Sequence, residues 1–189
     1  MLDWLIHKAI SSWSRSYNYD ATYLHEIADV SSAAALRFMG LPLLSQMQQP
    51  SPALWAGAAL GSVLDGDCGP CAQLIVDDAV RAGVDTGLLH ACLAGRYDEA
   101  GPVGLGFRFA VAAMADTSDL DSTREEIERT YGQLAVISVS YAAASCRAYP
   151  VLKRGLGHGA LCQKIELDGA SLNVAGRLGR VNTIEPEAT

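Results

Sequence analysis

The stretch that decides the fold of this chain is Asp65-Gly66-Asp67-Cys68-Gly69-Pro70-Cys71, followed by the apolar run 72–80. Two cysteines three residues apart are close enough to form a disulfide within one turn. Pro70 suits the first turn of a helix, because its missing N–H is one that a helix start leaves unbonded. The stretch therefore predicts a helix that begins at the cysteines.

A helix start also changes the chemistry of a thiol. First-turn N–H groups and the positive end of the macrodipole stabilise a thiolate, which lowers the thiol pKa from its free value of about 8.5. Carboxylates act in the opposite sense wherever they face the sulfurs, since like charge disfavours the thiolate. The nearby carboxylates are those of Asp65, Asp67, Asp77 and Asp78. The position makes a reactive dithiol physically plausible.

Composition narrows the class of protein. The chain has 189 residues, half of them apolar and 19% charged, which predicts one packed domain. A net charge of −7 without a basic stripe argues against a nucleic-acid partner. No segment reaches the roughly 20 apolar residues of a bilayer span, and the first residues lack a signal-peptide pattern. Five cysteines, only two of them close in sequence, do not suggest a secreted disulfide framework, so we expect a reducing cytoplasm.

Periodicity and capping signals predict helices and no convincing strand. Asp20, Ser51 and Asp85 are predicted N-caps, and Ser122 with Glu125 has the spacing of a capping box. Ser14 to Tyr19 is predicted to be a loop. Helices are expected over residues 2–13, 20–39, 52–64, 85–95, 123–131 and 133–149. A further helix should run from the cysteines to Gly83, and another should begin at Pro102. Pro150 should end or kink the helix over 133–149.

These elements predict an all-α fold, a compact multi-helix domain over residues 1–189. Its core should span about 51–157, with N-terminal helices 2–40 packing on it. Small residues in 52–64 should let neighbouring helices pack closely around the dithiol. The tail 170–189 is rich in Gly and polar residues, so its order is doubtful unless a partner subunit covers it.

The C-x-x-C pair has three alternative explanations. A thioredoxin-like site would follow a buried strand, but the approach to Cys68 is helix-like and poor in β-branched residues. A structural zinc site would need about four N or S ligands, and no second pair stands at a suitable spacing. The two thiols could also be inert. The remaining cysteines are predicted to be small core residues, since free cysteine is among the most buried residue types: Cys92, Cys146 and Cys162.

A second pattern lies downstream of the cysteines. An acidic capped helix, 122–131, leads into a long small-residue helix that carries Ala135, Ser138, Tyr141 and Ala142. With a C-x-x-C at a helix start, this all-helical chain resembles the carboxymuconolactone decarboxylase and alkylhydroperoxidase D family over roughly residues 51–157. The resemblance implies a compact helical fold and homo-oligomerisation. In the peroxidase branch it also implies a dithiol that reduces hydroperoxides and is re-reduced by a carrier.

The chain departs from the peroxidase branch at the proton-handling positions. That branch has a Glu before the first cysteine, a His after the second and often a His between them; here these positions are Ala56, Ile75 and Pro70. Positioned acid–base groups typically contribute about 10²–10⁴ in rate. The candidate replacements are Asp65, Asp77, Asp78 and His90, and Asp65 is better placed because its loop could fold back on the thiols. Asp78 lies two turns beyond the second cysteine, about 10 Å along the axis, which is too far for direct proton transfer.

The sequence therefore predicts a thiol-dependent peroxidase with an antioxidant role, or a dithiol/disulfide oxidoreductase. Cys68 or Cys71 would attack, and the other would resolve the sulfenic acid. One alternative is a non-catalytic helical scaffold or small-molecule binding protein with a vestigial dithiol. Another is a lactone decarboxylase-like enzyme, whose candidate anion-binding groups are Arg81, Arg96 and Arg108. The expected partners are a peroxide or other small molecule, a thiol reductant protein and further copies of the chain, with no metal or cofactor.

Overall fold

The computed structural model describes residues 2–159 and 164–173. Helices dominate it, which confirms the predicted compact all-α fold, and a short antiparallel hairpin follows them. The elements are α1 (Leu2–Tyr17), α2 (Thr22–Val30), α3 (Ser32–Met39), α4 (Pro42–Ser45), α5 (Pro52–Asp65), α6 (Gly69–Arg81), α7 (Thr86–Leu93), α8 (Gly101–Ala115), α9 (Asp119–Tyr131), α10 (Gln133–Cys146), α11 (Ala148–Gly155), β1 (Lys164–Leu167) and β2 (Ala170–Asn173). No helix in these ranges is long and apolar enough to cross a membrane.

Helices α5 and α8 form the centre of the fold and pack backbone against backbone. A Cβ added at Gly57 would lie 1.8 Å from the carbonyl oxygen of Val103, and one added at Gly106 would lie 2.1 Å from that of Leu54. Only glycine fits at such a contact. Helix α10 packs on both, and the buried Ser62 donates a hydrogen bond of 2.8 Å to the carbonyl oxygen of Ala143. Helices α8 and α10 thus pack closely on the small residues of α5, whereas close packing around the dithiol itself stays a prediction.

The buried apolar residues form two clusters. The larger cluster belongs to the main bundle, which we define as α5–α11 with the hairpin. The smaller one belongs to the N-terminal layer, which we define as α1–α4, and consists of Ile6, Ile10, Ala21, Tyr23, Leu24, Ala28 and Ala35. The layer packs on the bundle, as in the contact between the rings of Phe38 and Tyr149, whose centroids lie 5.7 Å apart.

Several predicted caps are confirmed at the start of the bundle helices. Ser51 accepts a hydrogen bond from the amide of Leu54, with Pro52 in the first turn of α5, and Asp85 accepts from the amide of Leu88. The predicted break near Pro150 is also confirmed, because α10 ends at Cys146 and α11 begins at Ala148. Proline is tolerated in the first turn of α11, where its missing N–H has no helical acceptor to bond.

The N-terminal helices differ from the prediction in three ways. The single helix expected over 20–39 is wrong, because Ser31 is extended (φ −160°, ψ 109°) and its side chain accepts from the amide of Ala34, which ends α2 and begins α3. A serine that bonds nearby amides offers the backbone an alternative to continuing a helix. The loop expected from Ser14 is also wrong, since α1 continues to Tyr17. The predicted N-cap at Asp20 is wrong, because Ala21 occupies the N-cap position of α2, although the Asp20 carboxylate accepts from the amide of Thr22.

Two further predictions are corrected in the second half of the chain. The capping box at Ser122 is wrong: α9 begins at Asp119, and the Ser122 hydroxyl donates to the Asp119 carbonyl inside the first turn. The absence of strands is also wrong. Strands β1 and β2 pair around Asp168-Gly169, both at positive φ, while Ile165 and Leu167 enter the main core. The first residues of the expected tail thus form β2, and residues 174–189 lie outside the described part of the chain.

Candidate functional site

The two cysteines stand where the sequence predicted, at the start of α6. Cys68 is the N-cap residue, and its carbonyl oxygen accepts the first helical hydrogen bond, from the amide of Ala72 at 3.0 Å. Cys71 lies in the first turn, after Pro70. Their sulfurs form a disulfide, with an S–S distance of 2.09 Å and a Cα–Cα distance of 5.2 Å. The site is therefore described in its oxidised form.

The loop before the disulfide is packed tightly against α11. A Cβ added at Gly66 would lie 2.4 Å from the Cγ atom of Pro150, so glycine permits this close approach. Asp67 follows with φ +52°, a left-handed conformation that Asp adopts more readily than most residues. The loop that leads into the disulfide is therefore fixed against Pro150 of α11.

Asp65, the candidate proton relay, is the last residue of α5. Its carboxylate accepts from the guanidinium of Arg147, between α10 and α11, and the side chain is largely buried. The relay role itself stays a prediction.

Both cysteines are buried, but one of them lines a cavity. Cys68 is 8% exposed and Cys71 is 4% exposed. Cys71 contributes to the wall of a cavity of about 430 Å³ between the N-terminal layer and helices α5, α6 and α11. Six aromatic side chains line this cavity: Trp13, Tyr17, Tyr19, Tyr23, Phe38 and Tyr149. A small molecule in this cavity would contact the second cysteine of the pair.

A carboxylate lies in the same cavity wall. Asp78 accepts a hydrogen bond from the Tyr17 hydroxyl at 2.6 Å on one oxygen and from the Gln46 side-chain amide at 2.8 Å on the other. Burial, followed by the hydrogen bond to Asp78, raises the pKa of Tyr17, while Arg81 acts in the opposite sense. The Arg81 guanidinium lies over the Tyr17 ring, 4.0 Å from its centroid. Asp78 is thus held by two neutral donors from the N-terminal layer.

Tyr149, another residue of the cavity wall, is tied to the buried core by a chain of hydrogen bonds. The indole N–H of the fully buried Trp55 donates to the carbonyl oxygen of Ser45 at 2.6 Å. The hydroxyl of Ser45 shares a hydrogen bond of 2.7 Å with the hydroxyl of Tyr149. Burial raises the pKa of Tyr149 to about 12, so the phenol carries its proton at neutral pH. This chain fixes the Tyr149 side chain beside the cavity.

The other cysteines are placed as predicted where the structure describes them. Cys92 and Cys146 are buried free thiols, and burial raises the pKa of each to about 12. Cys162 lies outside the described residues. His90, another candidate acid–base group, lies 3.6 Å from Asp168 of the hairpin turn. The structure brings neither free thiol into the cavity wall.

The candidate anion-binding arginines occupy ordinary surface positions. Arg96 pairs with Glu99 at 2.9 Å, and Arg108 pairs with Asp98 at 3.3 Å. Arg81 donates to the carbonyl oxygen of Ser16 as well as lying over Tyr17. These contacts match the surface and interhelical roles that such residues usually have.

Sequence reasoning missed most of the cavity. Tyr17 and Gln46 come from the N-terminal fifty residues, for which the sequence suggested no role. A signal was present, since Trp13, Tyr17, Tyr19 and Tyr23 concentrate four aromatic residues within eleven positions of a chain that is 7% aromatic. Ile75, where the peroxidase branch has a histidine, lines the cavity as an apolar group.

Within residues 2–159 and 164–173, no group of three or more His, Cys, Asp or Glu side chains is arranged to hold a metal ion. Comparison of the chain with protein-family models, curated proteins and solved structures gives no match. The functional argument therefore rests on the disulfide, the cavity and the chemistry of their residues.

Proposed function

We propose that this protein is a dithiol/disulfide oxidoreductase whose Cys68–Cys71 pair acts on a small molecule, and that the substrate is a hydroperoxide. The observation that carries the proposal is a disulfide at a helix start, with one of its cysteines lining a cavity. First-turn amides and the helix dipole favour the thiolate that such chemistry needs. The resemblance to the alkylhydroperoxidase D family supports the same choice of reaction.

The burial of the pair favours a small substrate. With both cysteines less than a tenth exposed, a large protein disulfide has little access to either sulfur. A cavity of about 430 Å³ falls in the size range typical of small-molecule sites. Its aromatic lining favours a substrate with an apolar body over hydrogen peroxide. We propose that Cys71 attacks, because it lines the cavity, and that Cys68 resolves.

The reaction would proceed in two displacement steps. The Cys71 thiolate attacks the terminal oxygen of the hydroperoxide, the O–O bond breaks, and the products are a sulfenic acid and an alkoxide that takes up a proton to become an alcohol. The Cys68 thiol then attacks the sulfenic sulfur, and hydroxide leaves with the thiol proton as water. Two thiols are oxidised to one disulfide while the hydroperoxide is reduced. An external thiol reductant, which a reducing cytoplasm would supply, returns the disulfide to two thiols.

Asp65 is the proposed carrier of the Cys71 proton to the alkoxide. It lies three residues before Cys68 and is held by Arg147. Asp78 is less suited to this step, because two helical turns, about 10 Å along the axis, separate it from Cys71. Replacing Asp65 with Asn should lower the rate of sulfenic acid formation by about 10²-fold if the carboxylate moves this proton.

A second candidate function is small-molecule binding without turnover. The observation that favours it is the combination of a cavity with apolar residues at Ala56 and Ile75, the positions of two acid–base groups in the peroxidase branch. In that case the disulfide would be a structural tie at the start of α6.

Thiol titration separates the two functions. The reduced protein is exposed to one equivalent of cumene hydroperoxide, and free thiols are counted with time. The oxidoreductase should lose two thiols per chain rapidly, Cys71→Ser should lose none rapidly, and Cys68→Ser should stop at a sulfenic acid that dimedone traps. Cys92→Ser is the matched control and should behave as wild type. Loss no faster than from denatured protein would contradict the oxidoreductase.

We also propose that the protein is a homo-oligomer, as the resemblance implies. Helix α10 presents three large apolar residues to solvent at helical spacing, Leu134, Ile137 and Tyr141. Apolar groups on one helix face are common at interfaces between subunits. Light scattering should give a mass above 20.0 kDa, and Ile137→Glu should reduce it to that of a single chain. A monomeric wild type would contradict this proposal.

A further inference from the structure

We propose that the aromatic cavity is a binding site for an apolar organic cation, an ammonium group attached to an aromatic or branched aliphatic body. The proposal concerns binding and stands whether or not the cysteines turn over. It draws on three observations: the continuity of the aromatic wall, the environment of the Asp78 carboxylate, and the cations that the chain itself places against the same rings.

The aromatic wall is continuous. Neighbouring rings contact edge to face, with centroid distances of 5.1 Å for Trp13 and Tyr19, 6.5 Å for Tyr19 and Tyr23, and 5.9 Å for Tyr23 and Phe38. Tyr149 continues the wall from Phe38 at 5.7 Å. The faces of aromatic rings carry negative electrostatic potential, and several rings around one cavity are the usual means of binding an ammonium group.

The only charged side chain among the described cavity-lining residues is the carboxylate of Asp78. Its two oxygens accept from neutral donors, Tyr17 and Gln46. Within residues 2–159 and 164–173, no nitrogen of Lys, Arg or His lies within 4.0 Å of it. A half-buried carboxylate loses solvation that hydrogen bonds restore only in part, and Arg81, which lies over the Tyr17 ring, does not line the cavity. A cation in the cavity would supply the opposite charge.

The chain already uses these rings to stabilise cations. The Lys153 ammonium group lies 5.2 Å from the centroid of Tyr19 and 5.1 Å from that of Tyr23, and it also contacts the Tyr19 hydroxyl. The Arg81 guanidinium lies over Tyr17. Neither basic residue lines the cavity. Among the residues that the structure describes, Trp13, Phe38 and Tyr149 have no such cation of the chain over their rings, so these rings remain for a ligand.

The volume sets the size of that ligand. About 430 Å³ is far more than a single ammonium ion needs and lies in the range of sites for organic molecules. Most of the remaining wall is apolar, including Ile10, Leu24, Val63 and Ile75, and Gln46 and Gln48 add two side-chain amides. The apolar residues would contact a hydrocarbon body, while Asp78 and the rings contact the charged head.

Three probes of matched shape test the charge preference. Benzyltrimethylammonium carries the cation, neopentylbenzene is its neutral isostere, and benzylsulfonate carries an anion. Binding to the full-length oxidised protein is followed by intrinsic fluorescence, since Trp13 lies in the wall, at concentrations that the neutral probe tolerates. We expect the cation to bind at least about tenfold more tightly than the neutral probe and the anion to bind least. Equal affinity for the cation and the neutral probe, a preference for the anion, or no binding at millimolar concentration would overturn the proposal.

A pair of neighbouring variants locates the effect. Asp78→Asn keeps the size of the side chain and should clearly lower the preference for the cation over the neutral probe, because only the contribution of the rings remains. Asp77→Asn is the matched control, because Asp77 is the adjacent carboxylate, bonds to Gln73 and does not line the cavity; it should keep the preference. A lowered preference in both variants, or in neither, would contradict a role for Asp78. If Asp78→Asn does not fold, the order of the three probes' affinities for the wild-type protein still tests whether the cavity prefers a cation.

Discussion

The main bundle and the N-terminal layer pack through different kinds of side chain. The bundle packs α5 on α8 through glycines, with backbone in contact with backbone, and its core is dominated by small aliphatic residues. The layer packs through a string of aromatic rings and short polar contacts, such as the stacked rings of His7 and His25, whose centroids lie 5.0 Å apart. Small side chains leave no space between helices, whereas large flat ones leave a cavity. This difference in side-chain size explains why the cavity lies where the N-terminal layer meets the main bundle.

The largest effect should come from filling the glycine contact in the bundle. In Gly106→Ala the new methyl group would meet the carbonyl oxygen of Leu54 at 2.1 Å, and backbone cannot move aside cheaply. We expect a loss of about 4 kcal/mol or more of unfolding free energy, or failure to fold. Chemical denaturation measures it. Gly155→Ala, where an added Cβ meets nothing within 4 Å, is the control and should change stability by less than about 1 kcal/mol. A well-folded Gly106→Ala would show that α5 and α8 are farther apart.

The same truncation in each region should have unequal effects. Ile127 is fully buried in the bundle, and Ile127→Ala should cost about 4 kcal/mol. Ile6 is buried in the smaller cluster of the layer, and Ile6→Ala should cost about 2 kcal/mol, because its surroundings can relax more easily. Hydrogen exchange should show the Ile6 effect mainly in α1–α4 and the Ile127 effect throughout the bundle. Identical global effects would mean that the two regions unfold as one unit.

Thiol reactivity should distinguish Cys92 and Cys146, in the interior of the main bundle, from Cys71, in the cavity wall. Burial raises the pKa of Cys92 and Cys146 to about 12, so at pH 8 only about one in 10⁴ of each is a thiolate. In the reduced, folded protein both should react with a thiol reagent at least about tenfold more slowly than Cys71. The alkylation rates of Cys92 and Cys146 should rise with pH, because a thiol with a raised pKa forms its reactive thiolate only in more alkaline solution. Peptide mapping after timed alkylation identifies each site, and equal labelling of all cysteines would contradict the contrast.

The smallest expected effect concerns one helix cap in each region. Ser31 caps α3 in the layer, and Ser51 caps α5 in the bundle, each accepting from the amide three residues later. Replacement of either serine by alanine should cost about 1 kcal/mol, and threonine should restore most of it. Ser51→Ala should lower the midpoint of global unfolding, whereas Ser31→Ala should mainly speed local exchange in α3. A silent Ser51→Ala would show that the α5 start is held by other contacts.

The fold was predictable where local chemistry decides it. Ser51 with Pro52 and Asp85 act on the backbone within a few residues, so the sequence alone placed the starts of α5 and α7. Pro150 indicated the break after α10, which comes three residues earlier than expected. The start of α6 at the cysteines followed from the same kind of signal. The hairpin also had a local signal, Asp168-Gly169 between Ile165 and an Ala-Ser-Leu run, because Asp-Gly favours the turn of a two-residue hairpin. Its strand pattern was too short to stand out beside the helices.

The site was predictable only in its covalent part. Cys68 and Cys71 are three positions apart in the chain, and their spacing alone indicated that they could form a disulfide. The cavity depends on contacts between distant segments, as when Tyr17 reaches Asp78 across 61 positions and Ser45 reaches Tyr149 across 104. Helical periodicity states which face of a helix is apolar but not which other helix covers it. The position of Asp78 was visible in the sequence, whereas its partners were not.

The chain has three tryptophans, and each lies in a different environment: solvent, the cavity wall or the buried core. Trp4 is 63% exposed and should emit at long wavelength, Trp55 is 0% exposed and should emit at short wavelength, and Trp13 lines the cavity. Variants that keep one tryptophan at a time would therefore separate the signals of solvent, cavity and core. Because the Trp55 indole bonds to Ser45 of the N-terminal layer, its emission would also record when that layer detaches from the bundle.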